Sequence, residues 1–108
     1  MNTKYSYEYS DEAKQDMEGF HQSEQRQIEK AIQKVVNNPL PQSEGGYGKP
    51  LGNKQGRNLT GLCKIVLMKL GIRVVYKLIR TDAIMQVIVV AARADEEVYD
   101  IAAERAGK

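Results

Sequence analysis

Three apolar segments in the second half of the chain, separated by very short turns, constrain the fold more than any other feature. They cover about residues 59–68, 72–80 and 83–91, with Lys69-Leu70-Gly71 and Arg80-Thr81-Asp82 between them. Turns of this length join only antiparallel neighbours, because parallel strands need a long crossover connection. The sequence therefore predicts a β-meander. Its last strand is apolar apart from Gln86, which is typical of a strand that is central or covered on both faces.

The chain begins with a pattern that predicts a strand and then a helix. Tyr5, Tyr7 and Tyr9 alternate with polar residues, which is the period of a half-buried strand. Ser10 and Asp11 follow directly and have the chemistry of a helix N-cap.

Two apolar stripes with helical spacing come next, interrupted at Gly19. Their members are Ala13, Met17 and Phe20, then Ile28, Ala31, Ile32, Val35 and Val36. The second stripe ends at Asn37-Asn38-Pro39, where proline cannot continue a helix. We expect a helical hairpin that packs on the sheet. His21 lies between the stripes and is interpreted as a surface or capping residue.

Residues 39–58 are rich in Gly, Pro, Asn and Gln and are predicted to form one long loop. Loops of this length inside a compact domain are more often functional or mobile than idle. Lys49, Lys54 and Arg57 make it a candidate contact for nucleic acid, with a plain surface connector as the alternative.

A closing helix is predicted after residue 94, with Asp95 as its cap and Val98, Ile101 and Ala102 as its buried stripe. At 108 residues the chain is long enough for one core. We therefore expect a single α+β domain over residues 1–108. In it, an N-terminal strand and a helical hairpin pack on an antiparallel meander with a C-terminal helix.

Positive charge is concentrated in one part of the chain. Residues 49–80 contain eight Lys or Arg and no acid, although the net charge is only +2. Most acids lie before residue 49. Such one-sided charge indicates a surface that faces an anion, and binding to a polyanion would then be salt-sensitive. A solvated basic face without a ligand is the alternative.

The single cysteine, Cys63, excludes an internal disulfide and fits a reducing compartment. It lies in an apolar run and is interpreted as a small core residue. No apolar stretch is long enough to span a membrane, and the N-terminus has no apolar signal segment. We expect a cytoplasmic protein with no membrane partner. The sequence shows no Cys/His cluster and no carboxylate pair, so neither a metal nor another cofactor is predicted.

Lys64, Arg73, Arg93 and Tyr99 are the candidate site residues. They fall on two predicted strands, the exit of the third strand and the first turn of the last helix. A meander closed by a helix can bring these residues to one edge of the sheet. The alternatives are solvated cations on a strand and a tyrosine that packs at the edge of the core.

This set of groups suits a phosphodiester in RNA. RNA carries its own nucleophile, the 2′-hydroxyl, so a protein can cleave it without a metal by aligning the attack, stabilising negative charge and moving protons. Arginine binds phosphate oxygens bidentately and stays charged. Cations favour the phenolate form of a neighbouring tyrosine, so Tyr99 is a candidate base, or a platform on which a nucleobase stacks.

In the predicted order of its elements and in the positions of Lys64, Arg73, Arg93 and Tyr99, the chain resembles the RelE/ParE superfamily of type II toxins. Within that superfamily it resembles the RelE branch of mRNA interferases. The stretches Leu62-Cys63-Lys64-Ile65-Val66-Leu67 and Gly71-Ile72-Arg73-Val74-Val75-Tyr76 are similar to the central strand pair of that family. Arg93 followed by Glu97-Val98-Tyr99 is similar to its C-terminal segment. The resemblance covers nearly the whole chain.

The resemblance implies a ribosome-dependent endoribonuclease that cuts mRNA in the A site through the 2′-hydroxyl. Lys64 and Arg73 would bind the phosphate, Arg93 would support the transition state and the leaving group, and Tyr99 would orient or deprotonate the nucleophile. The expected partners are a cognate antitoxin, the ribosome and mRNA, with DNA reached only through the antitoxin. Further contacts to RNA or the ribosome are expected from the basic residues Lys49, Lys54, Arg57, Lys69 and Lys77.

One position departs from the family pattern. The RelE branch has a second catalytic lysine where this chain has Val66, so Lys69 or a cation of the predicted loop would have to replace it, or the proton transfer differs. Two alternatives stay open. The first is a ParE-like toxin that inhibits DNA gyrase by binding, without nuclease activity. The second is a member that only binds an antitoxin.

Overall fold

The computed structural model describes residues 4–54 and 56–107, with only the backbone of Lys54. The strands are β1 (Ser6–Tyr9), β2 (Lys49–Lys54), β3 (Arg57–Leu67), β4 (Ile72–Ile79) and β5 (Ile84–Ala91). The helices are α1 (Asp11–Glu18), α2 (Gln22–Val35) and α3 (Asp95–Arg105), with a short 3-10 helix at Gln42–Glu44. One sheet has the strand order β1-β5-β4-β3-β2, and the expected α+β fold class is confirmed.

The predicted meander of β3, β4 and β5 is confirmed, since both strand pairs are antiparallel. The strand β1 adds to the far side of β5 in parallel, with Ser6 opposite Ile84 and Tyr9 opposite Val87. The strand β5 therefore lies between β1 and β4. Its nearly continuous apolar sequence is explained by helices that cover both faces of the sheet.

The prediction of one loop over residues 39–58 is wrong, because residues 49–54 form β2 and pair antiparallel with β3. Pro50 and Gly52 suggested a loop, yet both are tolerated because β2 is an edge strand with an irregular register between them. The preceding segment is held to the sheet by Tyr76, whose buried hydroxyl donates to the carbonyl of Pro39 at 2.8 Å.

The helical hairpin covers one face of the sheet. Its first helix is capped by Ser10, whose Oγ accepts from the amide of Ala13 at 3.2 Å, as predicted. The second helix follows its N-cap residue His21, whose backbone N–H donates to Oε1 of Glu24 at 3.0 Å. His21 is exposed, so its interpretation as a surface or capping residue is confirmed. The buried side chains of the hairpin are Ala13, Met17, Ile28, Ile32 and Val35, which pack in one cluster with Val74, Tyr76 and Val87.

The last helix, α3, packs in a second cluster with Leu62, Val75 and Val89. Its buried residues are Val98, Tyr99 and Ala102. Ile101, predicted to be buried, is only partly so, and Tyr99 is buried as well. Among the described residues no helix is long and apolar enough to cross a membrane.

Candidate functional site

Lys64 and Arg73 lie next to each other on the side of the sheet that α3 covers. In the antiparallel pairing of β3 and β4, Val66 is opposite Arg73, and Lys64 is opposite Val75. Lys64 and Arg73 are therefore diagonal neighbours on one face, within reach for long side chains. Each is largely shielded, with side chains 20% and 24% exposed.

Tyr99 meets Lys64 from α3. The ammonium of Lys64 donates to the Tyr99 hydroxyl at 3.0 Å, and its Nζ lies 5.5 Å from the centre of the Tyr99 ring. Tyr99 is 7% exposed, so packing and this hydrogen bond fix the phenol. A phosphate bound by Lys64 would lie within reach of the phenol oxygen.

Arg73 is held by the segment that connects β5 to α3. Its Nη1 donates to the backbone carbonyl of Arg93 at 2.8 Å and to that of Gly71 at 3.3 Å. Its Nε donates to Oδ1 of Asp95. The other oxygen of Asp95, Oδ2, lies 3.7 Å from Nζ of Lys64. One carboxylate thus bridges both cations.

Asp95 was predicted as a helix cap, and that prediction is wrong. The N-cap of α3 is Ala94, no side chain caps the helix start, and Asp95 is the first helical residue. Its side chain turns toward the sheet because Lys64 and Arg73 provide stronger partners than a backbone amide. Sequence reasoning missed Asp95 as a site residue. The available signal was its place between Arg93 and Tyr99.

Arg93 reaches this cluster through its backbone, while its side chain extends to the rim. The side chain is 61% exposed, and its guanidinium pairs with Glu97, four residues later, at 3.1 Å. Counting Lys64, Arg73 and Arg93 against Asp95 and Glu97, the formal charge is +3 − 2 = +1. In this conformation the site is nearly neutralised by its own carboxylates.

Two of the other predicted RNA contacts lie close to the cluster. Lys49 opens β2 directly opposite Lys64 and is exposed, so a second lysine borders the site from the neighbouring strand. Lys69 is exposed in the turn between β3 and β4, next to Met68, which is 84% exposed.

The remaining predicted contacts are placed elsewhere. Arg57 pairs with Asp100 of α3. Lys77 lies four residues beyond Arg73, about 13 Å along the same strand, and lines a separate groove with Arg80. The side chain of Lys54 lies outside the described part of the chain.

The cysteine Cys63 is buried in the core. Cys63 is 3% exposed, and burial raises the pKa of its thiol. That agrees with its interpretation as a core residue, since a reactive cysteine needs a lowered pKa and access. Within residues 4–54 and 56–107, no group of three or more His, Cys, Asp or Glu side chains is arranged to hold a metal ion.

Comparison of folds shows that the chain is similar to solved structures of RelE. It matches an E. coli RelE variant in the free state with a TM-score of 0.75 and 22% identity, covering 95% of this chain and 98% of that one. It matches the toxin of the intact E. coli RelBE toxin–antitoxin complex with a TM-score of 0.65 and 20% identity, covering 83% and 98%.

A third match comes from another organism. It is the toxin–antitoxin complex RelBE2 of Mycobacterium tuberculosis, with a TM-score of 0.62, 21% identity, and coverage of 84% of this chain and 93% of that one. No protein-family model and no curated protein sequence matches the chain. The chain therefore has the RelE fold.

Proposed function

We propose that this chain is the toxin of a type II toxin–antitoxin pair and an endoribonuclease that cuts mRNA in the ribosomal A site. The RelE fold supports the class of protein. The observation that carries the proposal is that Lys64 contacts Tyr99 and shares the Asp95 carboxylate with Arg73, at the start of α3. It brings two cations and a phenol together where α3 covers the sheet.

In the proposed reaction the 2′-hydroxyl of the substrate attacks the adjacent phosphorus. A bond forms between the 2′-oxygen and phosphorus, and the bond from phosphorus to the 5′-oxygen of the next nucleotide breaks. The products are a 2′,3′-cyclic phosphate and a 5′-hydroxyl. One proton leaves the 2′-oxygen and one reaches the 5′-oxygen, so the reaction needs no other reactant.

The residues divide this work by their chemistry. Arg73 and Lys64 bind the phosphate oxygens and stabilise the additional negative charge of the transition state. Tyr99 orients or deprotonates the 2′-hydroxyl, while Lys64 donates a hydrogen bond to the phenol oxygen of Tyr99. Arg93 is exposed at the rim and paired with Glu97. When RNA binds, its guanidinium leaves Glu97, binds the phosphate and stabilises negative charge on the leaving 5′-oxygen.

Lys49 is the best substitute for the second lysine that Val66 replaces. It is directly opposite Lys64, and opposite residues of an antiparallel pair have side chains on the same face. Lys69, in the adjacent turn, extends the basic surface toward RNA or the ribosome. A protein that acts on ribosomes in this way would work in the cytoplasm.

Primer extension on a translated message after brief induction tests the proposal. We expect discrete cuts at in-frame codon positions, which disappear when translation is blocked. Intact messages combined with arrested DNA replication would contradict a nuclease and favour inhibition of gyrase.

The variant Tyr99→Phe is expected to lower cleavage by at least about tenfold, because it removes the hydroxyl that would orient or deprotonate the 2′-hydroxyl. The ring remains to fill its buried place, so the melting temperature should change little. Single-turnover cleavage by programmed ribosomes measures the effect. Unchanged turnover would assign Tyr99 to packing alone.

The proposed protein partner is a cognate antitoxin. The space between the hairpin and the sheet and the surface under the last helix are filled by the chain's own core clusters. Co-expression with the product of the neighbouring gene, followed by affinity capture of the toxin, tests the partnership. Recovery of the toxin alone would contradict it.

A further inference from the structure

Asp95 is the most exposed of the three linked side chains Lys64, Arg73 and Asp95. Its side chain is 44% exposed, against 20% for Lys64 and 24% for Arg73. A ligand that approaches from solvent therefore meets the Asp95 carboxylate before it reaches either cation.

The Asp95 carboxylate resembles the expected ligand, a phosphodiester, in its charge and its hydrogen-bond acceptors. A phosphodiester carries one negative charge and presents oxygen acceptors, as a carboxylate does. Nη1 of Arg73 is already bonded to two backbone carbonyls. Nε of Arg73 and Nζ of Lys64 are the groups that face Asp95. A phosphate that binds both of these groups would overlap Asp95, and two anions in contact repel.

Nothing in the helix start requires Asp95 to stay in this position. Asp95 is the first residue of α3, and no side-chain cap hydrogen bond is made there. A carboxylate that rotates into solvent from the first turn still interacts favourably with the positive end of the helix. The cluster can therefore open by a side-chain rotation.

We propose that Asp95 sets the RNA affinity of this site by occupying the place between Lys64 and Arg73 that a phosphodiester must take. RNA binds when the Asp95 carboxylate leaves both cations. The inference rests on the proposed function for the identity of the anion. It explains how free RNA would be bound weakly, while a message held by the ribosome would displace Asp95 with binding energy from remote contacts.

The test compares Asp95→Asn with Glu96→Gln. Both changes remove one negative charge from the first turn of α3, but Glu96 is exposed and lies outside the cluster of Lys64, Arg73, Asp95 and Tyr99. The probe is a fluorescent single-stranded hexanucleotide made only of 2′-deoxynucleotides, which has no nucleophile and cannot be cut. Anisotropy measured at several salt concentrations gives Kd and its salt dependence.

We expect Asp95→Asn to lower Kd about threefold to tenfold, since two partly exposed ion pairs no longer compete with the phosphate. The salt dependence should steepen because a further phosphate contact is made. Glu96→Gln should change Kd by less than about twofold, because exposed charges outside the site are screened. Equal effects of the two variants, or weaker binding by Asp95→Asn, would overturn the proposal.

A second comparison separates the site from a general charge effect. When Arg73 is first replaced by Ala, Asp95→Asn should improve binding less, because only the pair with Lys64 is left to release. A gain as large as the one measured with Arg73 present would overturn the inference. Neither experiment uses ribosomes or cleavage. If Asp95→Asn binds the probe more tightly but the translated message stays intact, only the proposed nuclease activity is contradicted. If the message is cut but Asp95→Asn does not change Kd, only this inference is contradicted.

Discussion

Replacing Arg73 with Ala is expected to lower mRNA cleavage by at least about a hundredfold, the effect of removing one preorganised donor to a developing oxyanion. Arg73 is the arginine whose guanidinium lies inside the cluster, next to Asp95 and on the same face as Lys64. Its loss removes positive charge where the pentacoordinate phosphorus would form. Single-turnover cleavage by programmed ribosomes measures the change.

Arg80→Ala is the matched control. Arg80 is also an arginine paired with a carboxylate, Glu44, through two hydrogen bonds of 3.0 and 2.8 Å, and it follows the end of β4 far from α3. We expect little loss of cleavage from this variant. Equal losses from both variants would indicate a general effect of net charge and would remove Arg73 from the site.

Arg73 also bonds to the backbone of the β5–α3 connection, so its removal can loosen the start of α3. Arg73→Lys addresses this point, because it keeps the charge and loses the planar fork. Cleavage intermediate between the wild type and Arg73→Ala would assign part of the effect to charge and part to bidentate geometry. A melting temperature equal to that of the wild type would exclude unfolding as the cause.

The second large effect is expected on stability, from Asp16→Ala. Asp16 of α1 and Arg105 of α3 meet at the edge of β5, with contacts of 2.6 and 3.2 Å, and their side chains are only 19% and 20% exposed. Asp16 also accepts the backbone N–H of Val90 at 2.9 Å, and Arg105 donates to the carbonyl of Ile88 at 2.9 Å.

The position of this pair explains its importance. The parallel strand β1 pairs only as far as Val87, so beyond that residue no strand in the described part of the chain pairs with β5 on this side. Asp16 and Arg105 supply the missing hydrogen bonds and connect the helix layers on both faces. The hydrogen bonds to Asp16 raise the pKa of Arg105, so the guanidinium keeps its charge.

Asp16→Ala leaves a shielded guanidinium and an amide without their acceptor. We expect a loss of about 2–3 kcal/mol in the free energy of unfolding, by analogy with the breaking of buried charged pairs, which corresponds to a fall of about 10 °C in Tm. Chemical and thermal unfolding measure it. Glu44→Ala, which breaks the exposed pair with Arg80, should change stability little. A comparable loss from Glu44→Ala would mean that burial is not the reason.

Local patterns in the sequence predicted most of the scaffold. The short turns around Gly71 and Asp82 fixed an antiparallel meander, and the cap at Ser10 with its apolar stripe fixed the first helix. These features depend on residues close together in sequence, so the chain alone reveals them. The candidate residues Lys64, Arg73 and Tyr99 could be named for the same reason, because strand and helix periods decide which side chains share a face.

The tertiary structure decided the features that depend on pairing between distant residues. It made residues 49–54 an edge strand, since β3 offered hydrogen bonds that outweighed the presence of Pro50 and Gly52. It paired the Asp95 side chain with Arg73 and Lys64, which lie 22 and 31 positions earlier in the sequence, instead of with the helix start. It also left the Arg93 side chain exposed at the rim of the site. It also joined Asp16 to Arg105, which are 89 residues apart. Composition and periodicity carry no information about such contacts, because register and helix placement arise only when the whole core packs.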